Sequence, residues 1–169
     1  MFGSDLRTHR RAFLAGASAL ALSGCSGGGA LPPVADQIQV SKSARSLTLI
    51  GQGEILRSYK VHLGFEPGGH KQQYGDGRTP EGRYYIDRRN PRSAFHLSLG
   101  INYPNANDIA RAKAMGIDPG NDIFIHGGPR RERDRNRPDW TAGCIAVSDR
   151  EIEEIWAMVP LGTPITILA

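Results

Sequence analysis

Residues 123–148 read IFIHGGPRRERDRNRPDWTAGCIAVS, and the rest of the chain is organised around this stretch. Ile123, Phe124 and Ile125 form a short apolar run of strand character that delivers His126 into the pair Gly127 and Gly128. A charged, proline-bearing loop follows, and then Trp140, Thr141, Ala142, Gly143 and Cys144. Cys144 is the only cysteine in the body of the chain. The thiolate is the nucleophilic form of cysteine, and a nearby imidazole is the commonest means of generating it at neutral pH. A lone cysteine also serves as a small buried hydrophobe. The arrangement of His126, the glycines and Cys144 favours a nucleophile, with His126 as its base.

The glycines have a mechanical reading. Attack on a carbonyl needs backbone N–H groups facing the developing oxyanion, and a glycine just before the nucleophile allows a close approach that a Cβ would block. Gly143 and Cys144 are therefore the candidate oxyanion donors. The Gly127 carbonyl is available to accept from the far nitrogen of His126, fixing the tautomer as the third member of a triad does.

These residues resemble the L,D-transpeptidase catalytic domain, or YkuD domain, whose signature is a His-Gly followed after a loop by Ser-His-Gly-Cys-(Ile/Val)-Arg. His126-Gly127 matches the first part, and Thr141-Ala142-Gly143-Cys144-Ile145-Ala146 stands in place of the second. Upstream, Gly75-Asp76-Gly77-Arg78-Thr79-Pro80-Glu81-Gly82 resembles the family's GD-x-x-TPEG segment, so the likeness runs from about Ile38 to the C-terminus. Two departures stand out: Ala142 replaces the second histidine, and Ala146 replaces the arginine after the nucleophile. The resemblance implies a peptidoglycan L,D-transpeptidase. Cys144 would form an acyl-enzyme with a tetrapeptide stem, release D-Ala and cross-link to a second amine, without a cofactor. The Gly-Cys-(Ile/Phe)-Ala form resembles a branch that includes a hydrolase detaching a lipoprotein from peptidoglycan. Hydrolysis, including release of a wall-attached lipoprotein, is thus the alternative, and a catalytically idle envelope-binding lipoprotein is an alternative of another class.

Length and composition suit one domain: 169 residues, 39% hydrophobic and 22% charged. The net charge of +4 owes much to the N-terminus and to one loop, and there is no basic face with aromatic platforms, so nucleic acid is not the expected partner. Residues 1–24 read as a signal peptide. Arg7, Arg10 and Arg11 precede the apolar run 12–22, which is too short to span a bilayer, and Arg10-Arg11-Ala12-Phe13-Leu14 resembles a twin-arginine motif. Leu22-Ser23-Gly24-Cys25 resembles a lipobox, making Cys25 the expected lipidated residue and membrane anchor; an ordinary signal peptide or a disulfide to Cys144 is the alternative. Residues 25–36, Gly-rich and then proline-bearing, are the tether, and 37–169 the catalytic domain. The expected location is the bacterial cell envelope, on the periplasmic face, lipid-anchored to the outer membrane.

Short runs at 37–40, 46–50, 55–63, 82–86, 95–99 and 163–168 read as strands, with a hairpin turn at Gly51 and Gly53 and a turn at Thr79-Pro80-Glu81-Gly82. Residues 108–115 predict a helix capped by Asn107 or Asp108 and stopped by Gly116. Residues 149–159 predict a second, with Ser148 and Glu151 as a capping box and Trp156 on its core face. Together these give a mainly β sandwich or barrel with about two short helices. The low-complexity charge run holds Arg130, Arg131, Arg133, Arg135 and Arg137, which read as a solvated face. Its position also suits carboxylate binding, with one of these five the candidate to replace the arginine missing at Ala146, and Arg130 and Arg131 the substrate-binding candidates. Thr141 and Tyr103 are further substrate-binding candidates, Tyr103 reading equally as a packed edge residue. His62, His70 and His96 show no ligand spacing, so no metal is expected.

Overall fold

The computed structural model describes residues 32–169. The expected leader, the lipobox with Cys25 and most of the tether lie outside the described residues. In chain order the strands are β1 (Gln37–Ser41), β2 (Ser46–Gly51), β3 (Glu54–Lys60), β4 (Gly82–Ser93) and β5 (His96–Ile101), then helix α1 (Ala106–Met115), β6 (Phe124–His126), β7 (Ile145–Ala146), α2 (Asp149–Met158) and β8 (Pro164–Leu168). All eight strands lie in one sheet, ordered β3-β2-β1-β8-β4-β5-β6-β7. The chain leaving β3 then meets the opposite edge: His62 and Ala146 exchange backbone bonds of 2.9 and 2.8 Å. The sheet is therefore curled and nearly closed, as a mainly β, barrel-like reading requires.

Alternation of period two explains the core. Ile38 and Val40, Leu47 and Leu49, Tyr84 and Ile86, and Ile165 and Ile167 all point inward and are buried. Each such aliphatic side chain contributes about 1.5–3 kcal/mol on leaving water. Ile152, Ile155 and Val159 of the α2 segment complete that core. The hairpin between β2 and β3 turns on Gln52 (φ 54°) and Gly53 (φ 82°), the double positive φ whose twist matches paired strands.

Both helices start with capping boxes. Ser148 and Glu151 form the one at α2, as the spacing predicts. At α1 the cap is Asn105 rather than Asn107 or Asp108. Asp108 fills the third helical position, where its carboxylate takes the Asn105 amide at 3.0 Å and the Tyr84 hydroxyl at 3.1 Å. Trp156 is only partly buried, with the Arg89 guanidinium stacked 4.0 Å from its ring. The same arginine donates to the carbonyls of Trp156 and Val159 at 2.8 and 2.9 Å, closing the end of α2.

Two boundaries differ from expectation. Ala35 is fully buried and its amide donates to Met158 O at 2.8 Å, so the domain begins before residue 37. The Thr79-Pro80-Glu81 segment is irregular rather than a hydrogen-bonded turn, because buried Lys42 draws in the Thr79 carbonyl (3.0 Å) and the Glu81 carboxylate (2.8 Å).

Candidate active site

β6 lies antiparallel to β5 and parallel to β7, with His126 level with Ala146. Parallel neighbours cannot be joined by a tight turn and need a crossover of a dozen residues or more. The charged segment after His126 is that crossover. It returns the chain so that Cys144 arrives immediately before β7, two residues from the level of the histidine.

The Cys144 backbone is braced from three sides. The Thr141 hydroxyl donates to Cys144 O at 2.7 Å and accepts the Gly143 amide at 3.1 Å. Thr141 is itself buried, with its amide on Leu63 O at 3.1 Å. Asp139 accepts the Leu63 amide at 3.0 Å and the Arg45 guanidinium at 2.9 Å, anchoring the end of the crossover. Gly143 has φ 134°, and a Cβ there would stand 2.7 Å from the Arg78 carbonyl oxygen. Only glycine fits. The sulfur lies 3.6 Å from the Asp122 carbonyl oxygen.

His126 is 4% exposed, and its Nδ1 stands 2.7 Å from the Gly127 carbonyl oxygen. A carbonyl only accepts, so Nδ1 carries the proton and Nε2 of the neutral ring is the basic nitrogen. The ring is held between Phe95, with centroids 4.4 Å apart, and the edge of Trp140 at 5.6 Å. Burial pushes the His126 pKa below its ordinary value; the Gly127 bond opposes this and the charge of Arg130 adds to it. Burial likewise pushes the Cys144 thiol up, against the favourable Phe124 amide and Lys71 charge, with Asp122 raising it further. Both shifts favour the uncharged forms, a thiol and an imidazole.

Cys144 and Ala142 form a ridge between two cavities. One, of about 440 Å³, is lined by Phe95, His126, Arg130, Arg131 and Trp140 together with Cys144. The other, of about 290 Å³, has Lys71, Tyr74, Asn121, Asp122 and Ile123 around the same sulfur.

The structure brings some candidates to this site and not others. Arg130 and Arg131 line the larger cavity, but Arg130 is engaged by Asp149 through both carboxylate oxygens, whereas Arg131 has no ion pair among the described residues. Arg133, Arg135 and Arg137 line neither cavity. Tyr103 is buried, and its hydroxyl donates to Pro119 O at 2.7 Å; it does not face the thiol's cavities, because the packed alternative prevails. The hydroxyl of Thr141 and the amide of Gly143 bond to each other inside the loop, while Thr141 also lines the larger cavity. The Cys144 amide makes no hydrogen bond among the described residues. His96 sits on Glu153 at 2.6 Å, and His70 on the Glu81 amide at 2.9 Å.

Sequence reasoning missed Phe95, Lys71, Asp122 and Asp139. Lys71 and Asp76, the aspartate of the Gly75-Asp76-Gly77 segment, form a largely buried pair at 2.8 Å. Asp139 differs in sequence from its charged neighbours only in preceding the Trp-Thr-Ala-Gly-Cys run, and that adjacency is the one available signal.

The sequence model of the L,D-transpeptidase catalytic domain, YkuD, matches residues 35–167. YafK of Escherichia coli strain K12, whose name places it provisionally among the L,D-transpeptidases, is 33% identical over 128 residues, covering 72% of this chain and 46% of YafK. The chain thus spans about half the length of that relative. Among solved structures, a variant of the helical cell shape determining protein Pgp2 from Campylobacter jejuni superposes with a TM-score of 0.60 at 25% identity, covering 80% of this chain and 47% of that one. Bd1075 from Bdellovibrio bacteriovorus gives 0.57 at 25% identity, over 82% and 51% of the two chains.

Proposed function

The chain belongs to the L,D-transpeptidase catalytic-domain (YkuD) family, and from that premise we propose that it is a cysteine acyltransferase acting on peptidoglycan stem peptides. The observation that carries the reading is that Cys144 and His126 line one cavity, with Nδ1 of the imidazole committed to Gly127 O and Nε2 left as the base. Burial favours the uncharged form of both groups, so in this reading His126 Nε2 takes the thiol proton as the sulfur attacks, rather than beforehand. The carbonyl attacked is that of diaminopimelate next to the terminal D-Ala of a tetrapeptide. The S–C bond forms, the oxyanion is met by the Cys144 amide, and collapse breaks the amide bond, with the imidazolium returning its proton to the departing D-Ala nitrogen. A thioester remains. An amine of a second stem, entering from the other side of the Cys144 ridge, then takes the acyl group.

Arg131, unpaired in the same cavity, suits a stem carboxylate. Hydrolysis of the thioester or of the bond to a wall-attached lipoprotein is the second reading, and Ala146 favours it. That side chain is a buried methyl, so position 146 itself supplies no cation to hold an acceptor's carboxylate. Lipidation at Cys25, outside the described residues, would tether the domain to the envelope on the periplasmic side.

The test incubates the chain and its Cys144→Ala variant with disaccharide-tetrapeptides and weighs the products. A Cys144-dependent dimer lacking one D-Ala establishes transpeptidation. A shortened monomer establishes hydrolysis. No change in either sample, followed by release of lipoprotein from intact sacculi, moves the assignment to lipoprotein cleavage; no change in both assays leaves a binding role.

A further inference from the structure

A second network reaches the nucleophile through the smaller cavity. Strands β4, β5 and β6 set Arg88 opposite Gly100 and Gly100 opposite Phe124, so these three residues form one row across the sheet. A Cβ on Gly100 would lie 2.8 Å from Arg88 Nε. The middle residue of the row must therefore be glycine for the arginine to cross it. The guanidinium passes 4.9 Å from the Phe124 ring centroid, and its Nη1 donates to Asp122 Oδ1 at 3.0 Å. Nε donates to Asp87 at 3.2 Å.

Asp122 has φ 57°, in the left-handed region that aspartate enters more readily than most residues but less readily than the right-handed one, so a partner that fixes its side chain bears on how firmly it stays there. In that conformation its carbonyl accepts from Cys144 Sγ at 3.6 Å. We propose that Arg88 is a positioning residue for the nucleophile: it holds Asp122 in the left-handed conformation that aims the Asp122 carbonyl at the Cys144 sulfur, and so fixes the resting orientation of the thiol. The inference rests on the reading of Cys144 as the nucleophile.

The physical need is clear from the thiol itself. A sulfhydryl is a weak donor with three staggered rotamers, so its orientation follows whichever acceptor is held in place. Sulfur presented to the substrate in only one of three rotamers loses rate when that acceptor wanders. Arg88 is partnered by two carboxylates, so it acts through backbone geometry and not through its charge. An exposed ion pair with no such role would contribute little to stability and nothing to the reactivity of a cysteine three strands away.

The experiment follows acylation of Cys144 by a carbapenem, and separately its alkylation by iodoacetamide, both read by mass spectrometry on the peptide carrying Cys144 of the full chain. Arg88→Ala should slow acylation on the order of tenfold, the scale of releasing one held backbone conformation, at unchanged carbapenem concentration dependence. Arg88→Lys should recover part of the rate. In an Asp122→Gly background, where no carboxylate remains to be held, Arg88→Ala should cost about twofold or less. Equal rates in wild type and Arg88→Ala, or a tenfold loss that persists in the glycine background, overturn the proposal. If Arg88→Ala melts below the assay temperature, Arg88→Lys and Asp122→Gly carry the same comparison. If wild-type Cys144 is not acylated at all, the nucleophile reading fails. The alkylation rates then decide the role of Arg88 by the same pattern, an unchanged rate in Arg88→Ala overturning it.

Discussion

The Nδ1 atom of His126 stands 2.7 Å from the carbonyl oxygen of Gly127, the very next residue in the chain. A backbone carbonyl thus takes the place that a carboxylate occupies in many triads, and it orients the ring without adding negative charge. An uncharged partner leaves burial unopposed by any anion, which is why the imidazole pKa moves down. This relationship depends on the chain direction after His126, and that in turn depends on Gly127.

Gly127→Ala should therefore disable the site. An added Cβ would lie 2.5 Å from Asp149 Oδ1 and 2.9 Å from Phe95 O, two groups held by their own partners. We expect a loss of about 1–3 kcal/mol in thermal unfolding experiments. Carbapenem acylation of Cys144 should fall by more than the stability change accounts for.

The acid limb of the acylation rate should lie below the ordinary imidazole value of about 6.5, since the folded His126 resists protonation. Arg130→Met removes one cause of that shift and should move the limb toward higher pH. The stability consequence has a definite sign. Between the folded pKa and the unfolded value, the unfolded chain binds the proton and the folded chain does not, so His126 makes stability rise with pH across that window and fall on acidification. Chemical denaturation at several pH values checks this, with His126→Gln as the reference lacking the slope.

Alkylation of Cys144 by iodoacetamide should have a midpoint above the ordinary cysteine value of about 8.5, because burial favours the thiol. His126→Ala should leave that midpoint nearly in place. A large upward movement in His126→Ala would instead reveal a resting thiolate–imidazolium pair.

Thr141→Val and Thr141→Ser separate the two contacts of one hydroxyl from its bulk. Serine keeps the donor to Cys144 O and the acceptor for the Gly143 amide, and should retain most of the acylation rate. Valine leaves a buried amide and a buried carbonyl unpaired, at about 1–3 kcal/mol. Acylation should drop severalfold with it, and thermal melting should report the stability loss.

Asp76 predicts acid sensitivity of the segment facing the smaller cavity. Its carboxyl is brought down to about 2 by Lys71 and the amides of Gln72, Gln73 and Arg78, in spite of burial. The folded pKa is below the unfolded one, so this contribution is complete above about pH 4 and is lost as pH falls toward 2, about 2 kcal/mol in all. Asp76→Asn should lower stability at neutral pH and flatten the profile across that window.

Much of this molecule is local in origin and was legible from residues alone. The inward alternation of Ile38 and Val40 or of Ile165 and Ile167, the capping box of Ser148 and Glu151, and the left-handed stop at Gly116 each depend on neighbours a few positions away. The same holds for His126 on Gly127, an adjacent-residue contact. Thr141 and Gly143 were legible as part of a nucleophile loop, but their roles were not, because two polar groups that appear free in sequence satisfy each other in space.

What the tertiary structure decided lies between distant segments. Tyr103 reads in sequence as facing a groove or packed at an edge, and Pro119 takes its hydroxyl; five arginines look alike in sequence, and the crossover turns two of them toward the thiol. Arg88 and Asp122 meet only because β4, β5 and β6 align a glycine between an arginine and a phenylalanine. By itself the sequence determined most of the strand pattern, the start of α2 and the stop of α1, and it offered His126 and Cys144 as a candidate pair, since periodicity, capping and adjacency act over a few residues. Sheet order and register determined which donors, charges and carbonyls surround that pair, because a strand's neighbours are chosen by the burial of the whole sheet and not by its own residues.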